Sequence, residues 1–306
     1  MSASRHQSLR YTARAVPTAV ITFAFDPLVR LFGDLVVRWQ TVALAAAIAA
    51  VLVLVSLLAR QRGLRVDDLL SMTIGAVPGA VVAGRLGYLI LHPEAFAAGP
   101  ASLVDPAVGG LELGTGVIGG VLTAAYVGTL LGASVRAWAH LAAIPALIAI
   151  GAGKLAMVLG GSGQGLPSDL SWATSYVGSG PWSSLAPDLP SHPSQAYEGI
   201  AVLILAALLA LLASTGAFEK RDGRLLLLAV AGWAFLRAAV STTWRDPVLG
   251  GPLPAGGWLS VVIGLACLSL AVAVAVRGPG RATGDGSAGR TADEPAWPDP
   301  TTRPQF

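Results

Sequence analysis

The chain has 306 residues, of which 54% are hydrophobic and only 12% charged, about half the roughly 25% of an ordinary soluble domain. The net charge of +3 and the spread of its lysines and arginines exclude a nucleic-acid-binding face. The single cysteine, Cys267, excludes a disulfide within the chain and sits among apolar residues as a packing side chain.

Residues 1–38 form an N-terminal arm carrying Arg5, Arg10, Arg14, Arg30 and Arg38. Its apolar patch at residues 16–25 is too short to cross a bilayer. Phe25-Asp26-Pro27 after it is not a small-residue cleavage site, so the arm reads as a surface or interfacial amphipathic segment. Seven nearly uncharged windows follow at residues 41–59, 69–91, 115–135, 140–159, 197–214, 225–243 and 257–276. Each is long enough to span as a helix, and none alternates as a barrel strand does. The expectation is an all-α integral membrane protein with seven transmembrane helices over residues 39–277. An extracytoplasmic loop region at 161–196 separates spans four and five. The Gly/Pro/Thr-rich tail at 278–306 should be disordered.

Loop charge sets the orientation. Arg60, Arg62 and Arg65 follow the first span, Arg136 the third, Lys220, Arg221 and Arg224 the fifth, and Arg277 and Arg281 the seventh. The loops at 91–114 and 161–196 contain no Lys or Arg, and 244–256 has only Arg245. The positive-inside bias therefore places the N-terminus outside and the C-terminus in the cytoplasm, although the basic arm runs against it.

Charge inside the spans is the sharper signal, because an ionised side chain in hydrocarbon is costly and marks a functional site. Arg85 lies in the second span, Lys154 in the fourth and Arg237 in the sixth, against one carboxylate, Glu198, at the outer end of the fifth. That count leaves a deficit of negative charge that a lipid phosphate would fill, since Arg and Lys are its usual partners. The bland alternative is that each cation snorkels or bonds a backbone carbonyl alone. Glycines at small-xxx-small spacing, such as Gly75, Gly79, Gly116 and Gly120, read as close helix packing. Gly160, Gly161, Gly163 and Gly165 come so densely that the fourth helix should end there, against a cavity or buried in protein. His192-Pro193-Ser194-Gln195 reads as a loop closing over span five rather than as a nucleophile pair. No cluster with metal-ligand spacing is visible, and no cofactor is implied.

Taken together, several motifs resemble the bacterial prolipoprotein diacylglyceryl transferase family. They are Phe25-Asp26-Pro27, Gly84-Arg85-Leu86-Gly87-Tyr88, Gly109-Gly110 followed by Gly116-Val117-Ile118-Gly119, Gly151-Ala152-Gly153-Lys154 running into Gly165, and His192-Pro193-Ser194-Gln195-Ala196-Tyr197-Glu198. Arg237, with Arg245-Asp246-Pro247 after it, completes the set. The resemblance implies transfer of the diacylglyceryl group of phosphatidylglycerol to the lipobox cysteine of a prolipoprotein signal peptide, by a monomer in the bacterial cytoplasmic membrane. It implies Arg237 and Lys154 as the catalytic phosphate-holding pair. Arg85, Gly165, Tyr197, Glu198 and His192 would be substrate-binding, with Tyr197 and Glu198 fixing the cations. The family's histidine falls at Gly114, its tyrosine at Gln40, its signature arginine at Lys154, its asparagine at Met157 and its span-six glutamate at Ser241. Those departures thin the acid–base equipment. They keep a second expectation open, a catalytically silent relative that binds anionic phospholipid or lipoprotein precursor. A solute transporter is weaker, because only one broken stretch is visible.

Overall fold

Each hydrophobic window becomes one helix in the computed structural model, which describes residues 20–30, 34–96, 99, 105, 108–178 and 180–277. The helices are α1 (Trp39–Gln61), α2 (Val66–Leu91), α3 (Leu113–Leu130), α4 (Val135–Val158), α5 (Ser194–Ser214), α6 (Arg224–Ser241) and α7 (Ala255–Arg277). All seven are long and apolar enough to cross a membrane, and the chain is a multi-pass membrane protein. The predicted spans and the observed helices agree to within a few residues at most ends. The expected tail at 278–306 and the first half of the arm lie outside the described residues.

Sequence chemistry sets the helix ends. α2 stops at His92 because Pro93 disfavours helical geometry in the residue before it. α4 gives way to Gly161 and Gly163, both with positive φ, as the glycine run predicts. α3 is capped by Glu112, whose carboxylate accepts the backbone N–H groups of Gly114 and Thr115.

α6 lies innermost, with Trp233 fully buried among Ala143 and Leu147 of α4 and Val202 and Ala206 of α5. Outward faces carry Val53, Ile74, Ile90 and Val262, the apolar surface that acyl chains cover. The glycine-packing expectation holds at α2–α3. A side chain on Gly119 would be driven into the Gly79 carbonyl, and one on Gly79 into Thr123. Gly119→Leu is therefore expected to force the two helices apart and lower the apparent melting temperature of the detergent-purified protein. A melting curve matching that of the unmodified chain would contradict this packing.

The arm departs from a purely interfacial helix. Residues 21–23 form β1 (Ile21–Phe23), which pairs in parallel with β4 (Thr174–Tyr176) of the loop between α4 and α5. Phe23 stacks on Tyr176 at 5.0 Å between ring centroids. Burial keeps the Tyr176 phenol neutral, its pKa pushed up to about 12. β2 (Leu28–Arg30) and β3 (Val36–Arg38) make a hairpin at the entry to α1, where Arg38 donates to the Ser183 hydroxyl. The arm and the α4–α5 loop thus share one end of the bundle, as the even number of spans between them, α1 to α4, requires.

Candidate active site

Four helix ends bring four charges together at that end of the bundle. Lys154 lies one turn before the end of α4, and Arg237 one turn before the end of α6. Glu198 lies one turn into α5, and Glu112 caps α3. Helix dipoles favour cations near C-terminal ends and carboxylates near N-terminal ends, so alternating span direction puts each sign where the backbone prefers it.

Lys154 Nζ reaches Glu198 Oε2 at 2.7 Å. Arg237 Nη1 donates to both oxygens of Glu198 at 3.3 Å, and its Nη2 donates to Glu112 Oε1 at 3.1 Å. Trp233 Nε1 adds a donor to Glu198 Oε1 at 3.2 Å. The guanidinium lies 4.6 Å from the Trp244 ring centroid, a cation–π contact. Lys154 and Arg237 therefore converge, as expected, on a glutamate that is 1% exposed.

The charge count needs a correction. Glu112 is the second carboxylate, so Lys154 and Arg237 are balanced by protein acids and the deficit inferred from the spans is absent at that pair. The surplus lies at Arg245. It donates from Nε to Gly165 O at 2.6 Å and from Nη2 to Ser191 Oγ at 3.0 Å and Gln164 Oε1 at 3.5 Å, all neutral acceptors. Burial lowers its pKa from the ordinary value, but an arginine stays charged.

Two cavities meet at this cluster and share Leu185, Arg237, Trp244, Arg245 and Asp246 as a common wall. The smaller, about 320 Å³, is lined by three cations, Lys154, Arg237 and Arg245, against Glu198 and Asp246. The larger, about 600 Å³, has Arg237 and Arg245 against Glu94, Glu112 and Asp246, with His92 and Tyr88 on its wall. Arg237 Nε is buried and has no hydrogen-bond partner among the described residues.

The other expected site residues stand elsewhere. Arg85 donates to the carbonyls of Val108 at 2.6 Å and Asp105 at 2.8 Å and lies over Phe96. It is close enough to the α2–α3 loop to be drawn there, and it lines neither cavity. Tyr197 does not fix the cations: successive helix residues point about 100° apart, so Glu198 faces the cluster and Tyr197 does not. Its hydroxyl accepts from Trp172 Nε1 at 2.8 Å and lies 3.3 Å from His192 Nδ1. His192 thus belongs to the loop. Ser194 Oγ lies 2.6 Å from Thr243 Oγ1, fastening the start of α5 to the end of α6 as a closing loop should. Gly165 faces protein, because a side chain there would strike Ser194 and the Thr243 carbonyl. Its contribution to the site is the carbonyl that holds Arg245.

The departures are filled by packing. A Cβ at Gly114 would lie 3.1 Å and 3.3 Å from the two Glu112 carboxylate oxygens, so Glu112 occupies the space beside it. Gln40 accepts from the Ser162 hydroxyl at 2.7 Å, tying α1 to the glycine loop. Met157 lies against Gly163, and the Ser241 hydroxyl donates to Ala238 O at 2.7 Å. Sequence reasoning gave Glu112 and His92 no place at these cavities and Arg245 one only within a motif. An acidic residue directly before an apolar run is an N-cap signal, and it could have found Glu112.

A buried cluster of helix-end charges thus lies at one end of seven membrane-spanning helices, beside a cavity lined by three cations and two acids, the layout of a multi-pass membrane protein with a charged site at that end. The family model for prolipoprotein diacylglyceryl transferase matches residues 27–273, and the chain belongs to that family. It is 31% identical to the phosphatidylglycerol–prolipoprotein diacylglyceryl transferase of Bordetella avium, over 83% of this chain and 96% of that one. It is 28% identical to the enzyme of that name from Gluconacetobacter diazotrophicus, over 81% and 88%. The corresponding enzyme of Geobacter sulfurreducens is also 28% identical, over 82% and 96%.

Proposed function

We propose that this chain transfers the diacylglyceryl group of phosphatidylglycerol to the thiol of the lipobox cysteine in a prolipoprotein signal peptide. It does so as a monomer in the bacterial cytoplasmic membrane, with its N-terminus outside and its C-terminus in the cytoplasm. The carrying observation is the unpartnered Nε of Arg237 in a cavity with more cations than acids. Names of relatives that match over most of their length support the same reading.

The phosphate of the lipid lies in the smaller cavity against Arg237, Arg245 and Lys154. When the thiolate attacks the glyceryl carbon, the carbon–oxygen bond to phosphate breaks and the leaving glycerol phosphate gains a negative charge. Fixed cations that need not reorganise stabilise that charge as it forms. Glu198 and Glu112 hold Arg237 in place without neutralising its Nε. Lys154 presents a point charge where an arginine would fork, so the phosphate grip leans more on Arg245.

The test is transfer of labelled diacylglyceryl from phosphatidylglycerol micelles to a lipobox peptide. The unmodified chain should lipidate the peptide. Arg245→Gln, which removes a charged hydrogen bond worth about 1.5–3 kcal/mol, should raise KM for the lipid about tenfold to a hundredfold. Lipid that co-purifies with the chain, without any turnover, would replace this reading with that of a silent binder.

A further inference from the structure

Transfer to a thiol needs a proton acceptor, because the thiolate and not the thiol is the nucleophile. The two buried carboxylates of this cluster, Glu112 and Glu198, are already committed. A carboxylate offers about four lone-pair sites. Those of Glu112 take Gly114 N, Thr115 N, Thr115 Oγ1 and Arg237 Nη2. Those of Glu198 take Lys154, Trp233 and two contacts from Arg237 Nη1. Gly114, at the mouth of α3, brings no side chain.

We infer that His92, on the wall of the larger cavity with Glu94 at ion-pair distance, is the proton acceptor for the incoming thiol. The inference rests on the transfer reading above. His92 caps the C-terminal end of α2 and lines the cavity that Arg237 and Glu112 also line. Its Nδ1 lies 3.6 Å from Glu94 Oε1, and Tyr88 packs on its ring at 4.4 Å between centroids. Nε2 makes no hydrogen bond among the described residues. Histidine is the side chain that exchanges a proton in the neutral range. A base paired with a carboxylate that orients it is the arrangement that activates a nucleophile. The two cavities therefore divide the work, with the phosphate on the electropositive side and the thiol on the side with more acids than cations.

In the step, the Sγ–H proton passes to His92 Nε2. The thiolate then forms the carbon–sulfur bond as the carbon–oxygen bond to phosphate breaks. The proton leaves His92 for the released glycerol phosphate. Tyr88 and Glu94 touch the ring, and Glu112, Arg237, Arg245 and Asp246 are the other charged groups lining the same cavity.

The experiment compares the full chain with His92→Gln and Glu94→Gln in micelles, using a cysteine lipobox peptide and its selenocysteine analogue. His92→Gln should lower kcat on the cysteine peptide about 10²-fold or more, leave KM for the lipid within twofold, and give a pH profile in which the rate climbs as the thiol ionises. The selenocysteine peptide, already ionised at neutral pH, should restore most of the lost rate. Glu94 is exposed, so Glu94→Gln tests the dyad without risk to the fold. Loss of the carboxylate beside Nδ1 should lower kcat on the cysteine peptide in the same direction but by less. An unchanged pH profile in both variants overturns the inference and leaves the transfer reading standing. A selenocysteine peptide as slow as the cysteine one makes His92 merely structural. An unmodified chain that transfers nothing removes the reading and the inference with it.

Discussion

Glu198→Ala is expected to cost about 3–5 kcal/mol of stability, because it leaves two cations in a low-dielectric site with their shared acid removed. Lys154 would lose its 2.7 Å contact, and Arg237 would keep only Glu112. The cost comes from the stranded charges rather than from the lost contact. Lys154→Met combined with Glu198→Leu should therefore recover most of the stability, because an apolar pair of similar volume is often neutral or better than a buried ion pair. The double variant should still be inactive. Denaturant-driven loss of helical signal in a double-mutant cycle is the measurement. A single-variant loss below about 1 kcal/mol, the range of exposed pairs, would mean that water reaches the cluster freely.

Arg237→Lys separates charge from geometry at the centre of the site. Lysine keeps the charge, but one ammonium cannot reach Glu198 and Glu112 and still leave a directed donor like the free Nε. The rate of transfer should fall about 10²–10³-fold, the cost of removing one donor aimed at developing charge. KM for the lipid should change much less, since Arg245 and Lys154 still hold the phosphate in the ground state. Single-turnover transfer at saturating lipid reads this directly. A rate within tenfold of the unmodified chain would leave the guanidinium with no role beyond its charge.

Much of the fold was legible because lipid imposes a coarse rule. A span is a run of some 20 apolar residues, and seven such runs stand out by composition alone. The same rule hid the best-placed acid. Glu112 lies just outside the apolar window at 115–135, so a count restricted to spans left it in a loop, while its side chain folds back to cap α3 and meet Arg237. Position within a span also misled for Arg85. Its depth matched that of a site residue, but the carbonyls of the next loop lie within reach. Lys154 and Arg237 were legible from their cost, because only a partner justifies a charge at that depth. The β1–β4 pairing was not legible, since three-residue strands about 150 residues apart leave no local period to read. His92 carried no sequence signal of its own, and only the fold brings it to the wall of the cavity that Arg237 also lines.

The charge cluster also bears on how the chain is made. Glu112 and Arg237 lie 125 residues apart, and Glu198 and Arg237 lie 39 apart. Helices enter the bilayer in order of synthesis, so the early acid at α3 waits for a cation that arrives three helices later. Until α6 is delivered, the half-built bundle carries Lys154 against two acids and cannot close. The tetrad is therefore complete only once α6, the last of its four helices to be made, is in place.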